Sequence, residues 1–333
     1  MLKRIYKLFK QSPDTSRRIH AAFDEGSCMC ESCGAATPLA SLTPLTIFTC
    51  PSCGFKGLVP YILGEYILML PLGAGGVASV YQAFHRSHPK NAYAVKLLRT
   101  DKAIDEKILS EFLFEAEVHH QVSPHPSIVQ FIEQGESNGE YFHVMEFVPG
   151  DSIKRRVESA GRIPHQQALS WLKELVGALK HILVKGYLYR DISPGNLLVR
   201  ENLSLCLIDF GLALPVADAD AESRTQELLG TPEYMPPERI QHLGEDERSS
   251  IYSLGMLLIY MIKGEALIKA ESHERAALQH ISAVRVAFSA RMLPADCPEP
   301  VFQLISRMIK YDPVDRHQSF DELEGAIQGI LGA

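Results

Sequence analysis

The glycine cluster at residues 73–76 is the sequence feature that most restricts the fold of this 333-residue chain. It lies in EYILMLPLGAGGVASVYQAF (65–84), where apolar and β-branched residues on both sides predict a strand, a glycine-rich turn and a second strand. A dinucleotide-binding fold would need a helix directly after the glycines and an acidic residue about twenty positions later. The strand SVYQAF follows instead, and the chain contains no G-x-x-x-x-G-K-[ST] loop. Both of these nucleotide-binding folds are therefore excluded.

Further strands, and then helices, follow this hairpin. AYAVKLL (92–98) predicts a strand, EKILSEFLFEAEVHHQV (106–122) predicts a helix, and residues 125–150 predict another strand, turn and strand. Beyond that point the apolar spacing is helical in three segments, namely 171–186, 251–262 and 301–312. A strand-rich part followed by a helical part predicts an α+β fold with two lobes and a ligand cleft between them.

Composition and charge narrow the class of protein. The chain is 46% hydrophobic and 22% charged, which is ordinary for a soluble globular protein. Its net charge of −7 argues against nucleic acid as the main partner. No apolar run reaches the length of a membrane span. MLKRIYKLFK (1–10) carries charges throughout, unlike a secretory signal, so we expect a cytoplasmic protein.

The N-terminal segment, residues 1–27, begins with a short basic stretch. Its first ten residues combine four cations with apolar residues at helical spacing, namely Lys3, Arg4, Lys7, Lys10, Leu2, Ile5, Tyr6 and Phe9. Such a helix can contact a membrane or a partner protein, but a single short basic helix is a poor anchor. We therefore favour a terminus that docks locally on the protein over a membrane contact through residues 1–10.

Five of the seven cysteines lie between residues 28 and 53, in CMCESCG and CPSCG. Cys30, Cys33, Cys50 and Cys53 give the spacing C-x2-C-x16-C-x2-C, which can place four thiolates around one tetrahedral zinc ion. A glycine follows each pair and lets the chain turn tightly, so that backbone N–H groups can point at sulfur. Residues 28–60 therefore resemble a zinc ribbon, a small β module that depends on its metal to fold.

Other interpretations of these cysteines are weaker. Two disulfides would be unusual in a cytoplasmic chain. Cys28 could replace Cys30 as a ligand, but C-x4-C is a poorer knuckle. Four thiolates leave no open position for a substrate, so we expect a structural role or a docking site for a partner protein. Lys56 is the one basic residue of the module, too little charge for nucleic acid. The short linker after it predicts that the module packs on the strand-rich lobe.

Eight short motifs then follow one another, namely LGAGGVASVY (72–81), YAVK (93–96), FLFEAE (112–117), VMEFV (144–148), YRDISPGN (189–196), DFG (209–211), GTPEYMPPE (230–238) and YDPVDRHQS (311–319). In this order, residues 66–330 resemble a protein kinase domain. The resemblance implies the bilobal protein-kinase fold. Its β-rich N-lobe would comprise residues 66–145, its hinge 146–150 and its helical C-lobe 151–330, preceded by the zinc-ribbon-like module.

The resemblance implies an ATP site in the strand-rich lobe. Lys96 would contact the α- and β-phosphates and pair with Glu115, for which Glu117 is a less suitable alternative. The third glycine position of the phosphate loop holds Ala78. The residues that the resemblance assigns to the nucleotide are Leu72, Gly73, Gly75, Val80, Ala94, Lys96, Met145 and, at the hinge, Glu146 and Val148.

The same resemblance assigns the chemistry to the helical lobe. Asp191 would be the catalytic base, while Asn196 and Asp209 would hold magnesium or manganese. Thr231 in GTPEY is typical of kinases that phosphorylate serine or threonine in proteins, and the glycine loop resembles bacterial members of that class. Arg316 matches the late arginine that pairs with the glutamate of the PPE motif, Glu238. A small-molecule kinase is disfavoured because GTPEYMPPE resembles a peptide-docking segment.

Three substitutions depart from the family pattern. Ser193 replaces a lysine that touches the transferring phosphate, which could cost about 3 kcal/mol. Tyr189 replaces a histidine whose role is mainly packing. Ser250 replaces an aspartate that fixes the catalytic-loop backbone, a loss of about 1 kcal/mol. The alternative is a pseudokinase scaffold, but Lys96, Asp191, Asn196 and Asp209 are present, so we favour an active enzyme with reduced activity.

Arg190 precedes the predicted base. In the family such an arginine often receives a phosphate from the activation segment, and Ser223 and Thr225 are the candidate sites. The alternative is that DADAESRTQE is a solvated acidic loop without this role.

Overall fold

The computed structural model describes residues 18, 21–23, 25–98, 105–219, 229–269, 272–283 and 288–332. They divide into two compact units. The first unit contains the residues up to 112 together with 131–147, and the second contains 113–130 and the residues from 148 onward. The basic stretch 1–10, Ser223 and Thr225 lie outside the described residues.

The first unit begins with two small hairpins that carry the cysteines. Strand β1 (Ser27–Met29) pairs antiparallel with β2 (Ala36–Pro38), and β3 (Ile47–Thr49) pairs antiparallel with β4 (Lys56–Leu58). A single turn of 3-10 helix (Leu39–Ser41) follows β2. The buried core of this module consists of Cys28, Cys30, Phe48, Cys50 and Val59. We call residues 28–60 the four-cysteine module.

A six-stranded antiparallel sheet forms the rest of the first unit. Its strand order is β5-β6-β7-β8-β10-β9, with bounds β5 (Tyr61–Leu63), β6 (Tyr66–Ala74), β7 (Ala78–His85), β8 (His88–Leu98), β9 (Phe131–Ser137) and β10 (Glu140–Glu146). Gly73 of the glycine cluster lies on β6, and Gly75 and Gly76 lie in the turn between β6 and β7 that the sequence predicts. Strand β5 comes directly after the four-cysteine module, so the chain passes from the module into the sheet edge.

Strand β6 is apolar at consecutive positions because both of its faces are covered. Leu68 packs with Val95 and Val144 in one buried cluster. Its neighbour Ile67 points the other way and packs with Phe84, beside Met29 of β1 and Leu39 of the 3-10 turn that follows β2. This contact confirms the prediction that the module packs on the strand-rich part, and burial of these side chains contributes roughly 2 kcal/mol each.

The second unit is mainly helical. Helix α1 (Glu106–Val122) continues into it from the first unit. The other helices are α2 (Ile153–Ala160), α3 (His165–Val184), α4 (Pro237–Ile240), α5 (Glu247–Lys263), α6 (His273–Ala283), α7 (Glu299–Met308) and α8 (Phe320–Leu331). Single turns of 3-10 helix occur at Val216–Asp218, Pro232–Tyr234, Ala290–Met292 and Pro313–Asp315.

Five short strands frame the loops of the second unit, namely β11 (Asp151–Ser152), β12 (Tyr187–Leu188), β13 (Leu197–Val199), β14 (Leu205–Leu207) and β15 (Leu214–Pro215). Strand β12 pairs with β15, while β13 lies between β11 and β14. The strand-rich first part and the helical second part confirm the predicted α+β class.

Helix α5 forms the centre of the second unit. Thirteen of its seventeen residues are buried, which explains why its sequence is apolar on every face.

The predicted bounds of α1 agree with the structure, but α7 ends at Met308, four residues before the predicted end. Asp312 is excluded from the helix, because proline disfavours helical geometry at the residue before it and because Asp312 caps the next turn by accepting the Val314 N–H. Among the described residues, no helix is long and apolar enough to span a bilayer.

Candidate active site and four-cysteine cluster

Residues 189–196, between β12 and β13, are the predicted catalytic loop and carry the predicted base. The Asn196 amide nitrogen donates to Asp191 Oδ2 at 2.7 Å and to the Asp191 carbonyl oxygen at 3.1 Å. These bonds hold the loop closed on itself over five residues. They also fix the orientation of the Asn196 side chain. Its NH2 group is directed at Asp191, and its amide oxygen takes no part in these two bonds, so it can bind a metal ion.

The second oxygen of Asp191 is held from a distant part of the chain. Thr231 donates to Asp191 Oδ1 through its hydroxyl at 2.8 Å and through its backbone N–H at 3.2 Å. The sequence predicts the class of substrate from Thr231 but does not predict this contact. Both carboxylate oxygens of the predicted base therefore have defined partners, so its orientation is set by two separate segments of the second unit.

The DFG segment brings a second carboxylate and a glutamate together. The Gly211 N–H donates to Asp209 Oδ1 at 3.2 Å. A methyl group placed on Gly211 would lie 3.3 Å from Glu115 Oε2 and 3.4 Å from Asp209 Oδ1, so both carboxylates crowd this glycine. Glu115 is buried, whereas Glu117 is exposed and accepts a bond from Gln121 at 3.1 Å. Of the two candidates on α1, the structure directs Glu115 at the DFG segment.

Phe210 of this segment is buried between two aromatic rings. His119 stacks on it with ring centroids 4.8 Å apart, and Tyr189 meets it edge-on at 5.7 Å. Tyr189 thus packs in the place where the family has histidine. Burial, together with the negative charges of Asp191 and Asp209, raises the pKa of Tyr189 well above its ordinary value, so the phenol stays neutral.

Two serines mark the departures from the family pattern. Ser193 is buried, with 5% of its surface exposed, and its carbonyl oxygen accepts the Asn196 N–H at 3.2 Å. Ser250 is also buried, in the first turns of α5. Neither residue supplies a charge. The catalytic loop instead receives a charged contact from Arg239, which donates to the Arg190 carbonyl oxygen at 2.7 Å and was not singled out by the sequence analysis.

A buried ion pair fixes the end of the GTPEYMPPE segment. Arg316 donates to both oxygens of Glu238, at 2.7 and 2.9 Å, which confirms the predicted pairing. The Arg316 guanidinium also lies 4.9 Å from the centre of the Tyr252 ring. A bidentate pair of this kind fixes geometry as well as charge. Removing either partner would leave a buried charge without compensation.

A histidine holds the middle of the same segment. His280 Nε2 lies 2.7 Å from the Pro232 carbonyl oxygen, and Nδ1 lies 2.8 Å from the Tyr252 hydroxyl. The carbonyl oxygen can only accept, so Nε2 carries the proton and Nδ1 accepts from the tyrosine. Burial lowers the pKa of His280 to about 4, so the ring is neutral at neutral pH.

All the remaining predicted site residues except Val148 lie in the first unit, on β6, β7, β8 and β10 or in the glycine-rich turn. Val80 is opposite Lys96, and Ala94 is opposite Met145, in the register of neighbouring strands. Because side chains alternate along a strand, these four residues share one face of the sheet.

The turn that carries the glycine cluster is closed by a bond from the Gly75 N–H to the Ala78 carbonyl oxygen at 2.8 Å. Leu72 and Gly73 lie on β6 just before it, and Glu146 ends β10. Val148 is buried and belongs to the second unit.

The sulfur atoms of Cys30, Cys33, Cys50 and Cys53 lie within 4.8 Å of one another. Cys30 Sγ is 3.6 Å from Cys53 Sγ, and Cys33 Sγ is 3.7 Å from Cys50 Sγ. Tetrahedral zinc with bonds of about 2.3 Å would separate two thiolates by roughly 3.8 Å, whereas a disulfide is about 2 Å long. All four cysteines are free thiols, which excludes the disulfide alternative in this structure.

The local backbone of the cluster explains why glycines follow the cysteine pairs. Gly34 and Gly54 have φ values of +76° and +71°, and their N–H groups donate to the carbonyl oxygens of Cys30 and Cys50. A side chain would be strained at such a φ. Cys28 is buried beside the cluster, but its sulfur is not among the four that converge, so the structure favours Cys30 as the fourth candidate ligand.

Comparison with known proteins places these features in a family. The family model described as the protein kinase domain matches residues 66–324. The chain is 29% identical over 272 residues to serine/threonine-protein kinase PrkC of Bacillus subtilis, an alignment that covers 82% of this chain and 41% of the relative. It is 30% identical over 274 residues to serine/threonine-protein kinase PknB of Mycobacterium leprae, covering 79% and 42%. The chain thus spans about two fifths of the length of these curated relatives.

Proposed function

The chain belongs to the protein kinase domain family, and on that premise we propose that it is an ATP-dependent serine/threonine protein kinase. The reaction would transfer the γ-phosphoryl group of ATP to serine or threonine hydroxyls of a protein substrate. The observation that carries the proposal is the arrangement of Asp191, whose two oxygens are oriented by Asn196 and Thr231. The names of the relatives support the substrate class, and the proposed domain organisation is the one predicted from the sequence.

The residues of the second unit would act in separate roles. Asp191 would accept the proton of the substrate hydroxyl and orient its oxygen. The Asn196 amide oxygen and the Asp209 carboxylate are the hard oxygen donors that magnesium prefers, which supports them as its ligands. Bound magnesium would neutralise charge on the phosphates. Thr231 would keep Asp191 aimed at the acceptor, which is consistent with its two donated bonds.

The residues of the first unit would bind the nucleotide. Lys96 would contact the phosphates, and its shared face with Val80, Ala94 and Met145 supports a common role for these four side chains. The backbone of the glycine-rich turn would approach the phosphates, and Glu146 and Val148 would meet the adenine through their backbones. Glu115 would pair with Lys96, and its burial beside the DFG segment supports its choice over Glu117.

We also propose that the four-cysteine cluster binds one structural zinc ion. Four converging thiols at tetrahedral spacing are the donor set that zinc prefers and leave no position for a substrate. Thiolates available for metal also fit the reducing cytoplasm that we expect for this protein. The module would stabilise the sheet, and we also propose it as a docking site for a partner protein.

Phosphoryl transfer from radiolabelled ATP tests the enzymatic proposal. The full chain, with magnesium or manganese and a basic protein substrate, should label serine or threonine. Asp191→Ala and Asp209→Ala should abolish the label, whereas Asp151→Ala, an exposed aspartate on β11, should retain it. Transfer that persists in the Asp191 variant would contradict the assignment.

The alternative is a pseudokinase that binds nucleotide without transferring phosphate. Its support is the loss of charge at Ser193 and Ser250. It predicts that ATP raises the melting temperature of the wild type while no label is transferred under any metal condition. The same experiment therefore separates the two functions.

A further inference from the structure

Three charged side chains form a buried cluster beside the catalytic loop, which we call the Arg190–Glu245–Arg239 cluster. Glu245 lies in the loop between α4 and α5, and Arg239 lies in α4. Arg239 donates to both Glu245 oxygens, with contacts between 2.6 and 3.0 Å. Arg190 Nη2 lies 2.9 Å from Glu245 Oε1. The three side chains are 12% exposed or less, so one carboxylate is enclosed by two guanidinium groups.

The cluster is joined to the catalytic loop by its backbone as well as by a side chain. Arg239 Nη1 donates to the Arg190 carbonyl oxygen at 2.7 Å, and the next residue is Asp191. A methyl group placed on Gly230 would lie 3.7 Å both from Arg239 Nη1 and from Asp191 Oδ1. Gly230 therefore lies between the Arg239 guanidinium group and the carboxylate of the proposed base, Asp191. A shift of Arg239 would move the peptide unit that precedes Asp191.

The Glu245 carboxylate affects whether Arg190 can bind a phosphate. The family resemblance implies that this arginine receives a phosphate, and a phosphate orders a loop when it meets an arginine free to bind it. Here Glu245 already provides a carboxylate at 2.9 Å in a buried position. A phosphate brought to Arg190 would have to displace that carboxylate from the guanidinium group before it could bind. Glu245 therefore supplies, from within the fold, the negative charge that a phosphate would bring.

We propose that the Arg190–Glu245–Arg239 cluster anchors the catalytic loop in the arrangement seen here without a phosphate on the activation segment. Arg239 and Glu245 are then positioning residues that act through the Arg190 backbone and Asp191. The anchor supplies charged support in a chain that has Ser250 where the family has aspartate. The predicted effect of the cluster on catalysis rests on the proposed kinase function. Its predicted effect on the conformation of the catalytic loop does not.

The test uses the full chain and two readouts. The first is the steady-state kcat and the KM for ATP with magnesium and a serine-containing protein substrate. The second is hydrogen exchange of the amides of residues 189–196, measured beside global thermal unfolding. Glu245→Gln removes the charge at constant shape. Arg239→Lys keeps the charge but not the fork that reaches both Glu245 and the Arg190 carbonyl oxygen, and it serves if Glu245→Gln does not fold.

Two further variants complete the design. Glu174→Gln is the matched control, because it removes the charge of another carboxylate of the second unit. Glu174 is partly buried, and its hydrogen bond, 2.7 Å long, comes from the Leu205 N–H on β14 and not from the catalytic loop. Ser223→Ala/Thr225→Ala removes both candidate phosphorylation sites.

The expected results separate the anchor from a merely structural role. Glu245→Gln and Arg239→Lys should lower kcat about tenfold, leave the KM for ATP within about twofold and speed loop exchange about tenfold, because a small displacement of a reacting group is costly. Glu174→Gln and Ser223→Ala/Thr225→Ala should match the wild type in both readouts. A tenfold loss of kcat in the Ser223/Thr225 variant would overturn the proposal, since a phosphate would then be required.

Failure of the proposed function gives a different pattern. If the wild type transfers no phosphate, the exchange readout alone decides. Faster exchange of residues 189–196 in both cluster variants, but not in Glu174→Gln, would still establish the anchor. Equal exchange in all variants would refute it, whatever the activity of the wild type.

Discussion

In the four-cysteine module, the four converging sulfur atoms come from two tight turns of the same form, each with two cysteines three positions apart. In the second unit, the partners of Asp191 come from its own loop and from Thr231, forty positions later. The Arg190–Glu245–Arg239 cluster joins the loop to still more distant residues. The first site is built from local turns and needs only that two hairpins meet. The second depends on the packing of α4 and α5 and of the segment before them. The two sites should therefore fail in different ways.

Zinc removal should produce the largest effect, and it should be local. Structural zinc contributes on the order of 10 kcal/mol of binding free energy to small domains. Chelation, or Cys33→Ser/Cys53→Ser, should unfold residues 28–60 and expose Ile67 and Phe84 on the sheet face that the module covers. Metal content by mass spectrometry and hydrogen exchange of β1 to β6 would measure this.

The control for zinc removal is Cys297→Ser in the second unit, which should keep one zinc per chain. An unchanged exchange pattern in the stripped protein would contradict a structural role for the metal.

A single methyl group at Gly211 should produce the next largest effect. It would lie 3.3 Å from Glu115 and 3.4 Å from Asp209, so both carboxylates must move. We expect Gly211→Ala to lower kcat about a hundredfold with little change in stability, because misplaced reacting groups cost activity before they cost folding. Gly177→Ala on α3, where a methyl group meets no atom within 4 Å, should leave kcat unchanged. Equal kcat values for the two variants would show that Glu115 and Asp209 tolerate displacement.

His280 should make the second unit sensitive to acid. Its folded pKa of about 4 lies below the ordinary value of 6.5, so the unfolded chain binds the proton first. The packing of the neutral His280 ring therefore contributes its full stabilisation above about pH 6.5, and this stabilisation decreases as the pH falls towards 4. Between pH 7 and 5 the loss should be about 2 kcal/mol.

His280→Gln should flatten the pH dependence of the unfolding free energy by about that amount. Denaturant titrations at several pH values would measure the slope. His88→Gln, a change at an exposed histidine in the first unit, should leave the slope as it is. An unaltered slope for the His280 variant would assign the acid sensitivity to other groups, such as His317, whose pKa burial also lowers to about 4.

Thr231 should show the smallest of the four effects. Thr231→Val removes the hydroxyl that donates to Asp191 but keeps the backbone bond and the shape of the side chain. A lost hydrogen bond to a charged group predicts a decrease in kcat of about tenfold, with an unchanged KM for ATP. Thr231→Ser, which keeps the hydroxyl, should recover most of the activity. A serine variant as slow as the valine variant would mean that packing, and not the hydroxyl, matters at this position.

Much of the fold could be predicted from local patterns. The bounds of α1, the strand–turn–strand order around the glycine cluster and the buried helix at 251–262 agree with the structure because they depend on hydrophobic periodicity over one element. The Cys30, Cys33, Cys50 and Cys53 set was also identified, since each pair lies within one tight turn. The predicted end of α7 at Asp312 was wrong because the effect of Pro313 was not considered.

The contacts of the catalytic loop were harder to predict. The pairing of Arg316 with Glu238 was expected only through the family resemblance, and it is present. Neither Glu245 nor Arg239 belongs to a motif, and the sequence contains no spacing that relates them to Arg190. What marks Arg239 and Glu245 is that two charged residues are buried, and burial is known only from the structure.

The sequence by itself determined the order of the elements, the membership of the four-cysteine cluster and the family, because turns, strands and helices convert short spacings along the chain directly into distances. The tertiary structure alone decided that Thr231 meets Asp191, that Glu115 and not Glu117 faces Gly211, and that Arg190 is paired with Glu245. These pairs join separate elements. Their distances depend on how the helices and loops of the second unit pack and exclude water, and no local pattern encodes that packing.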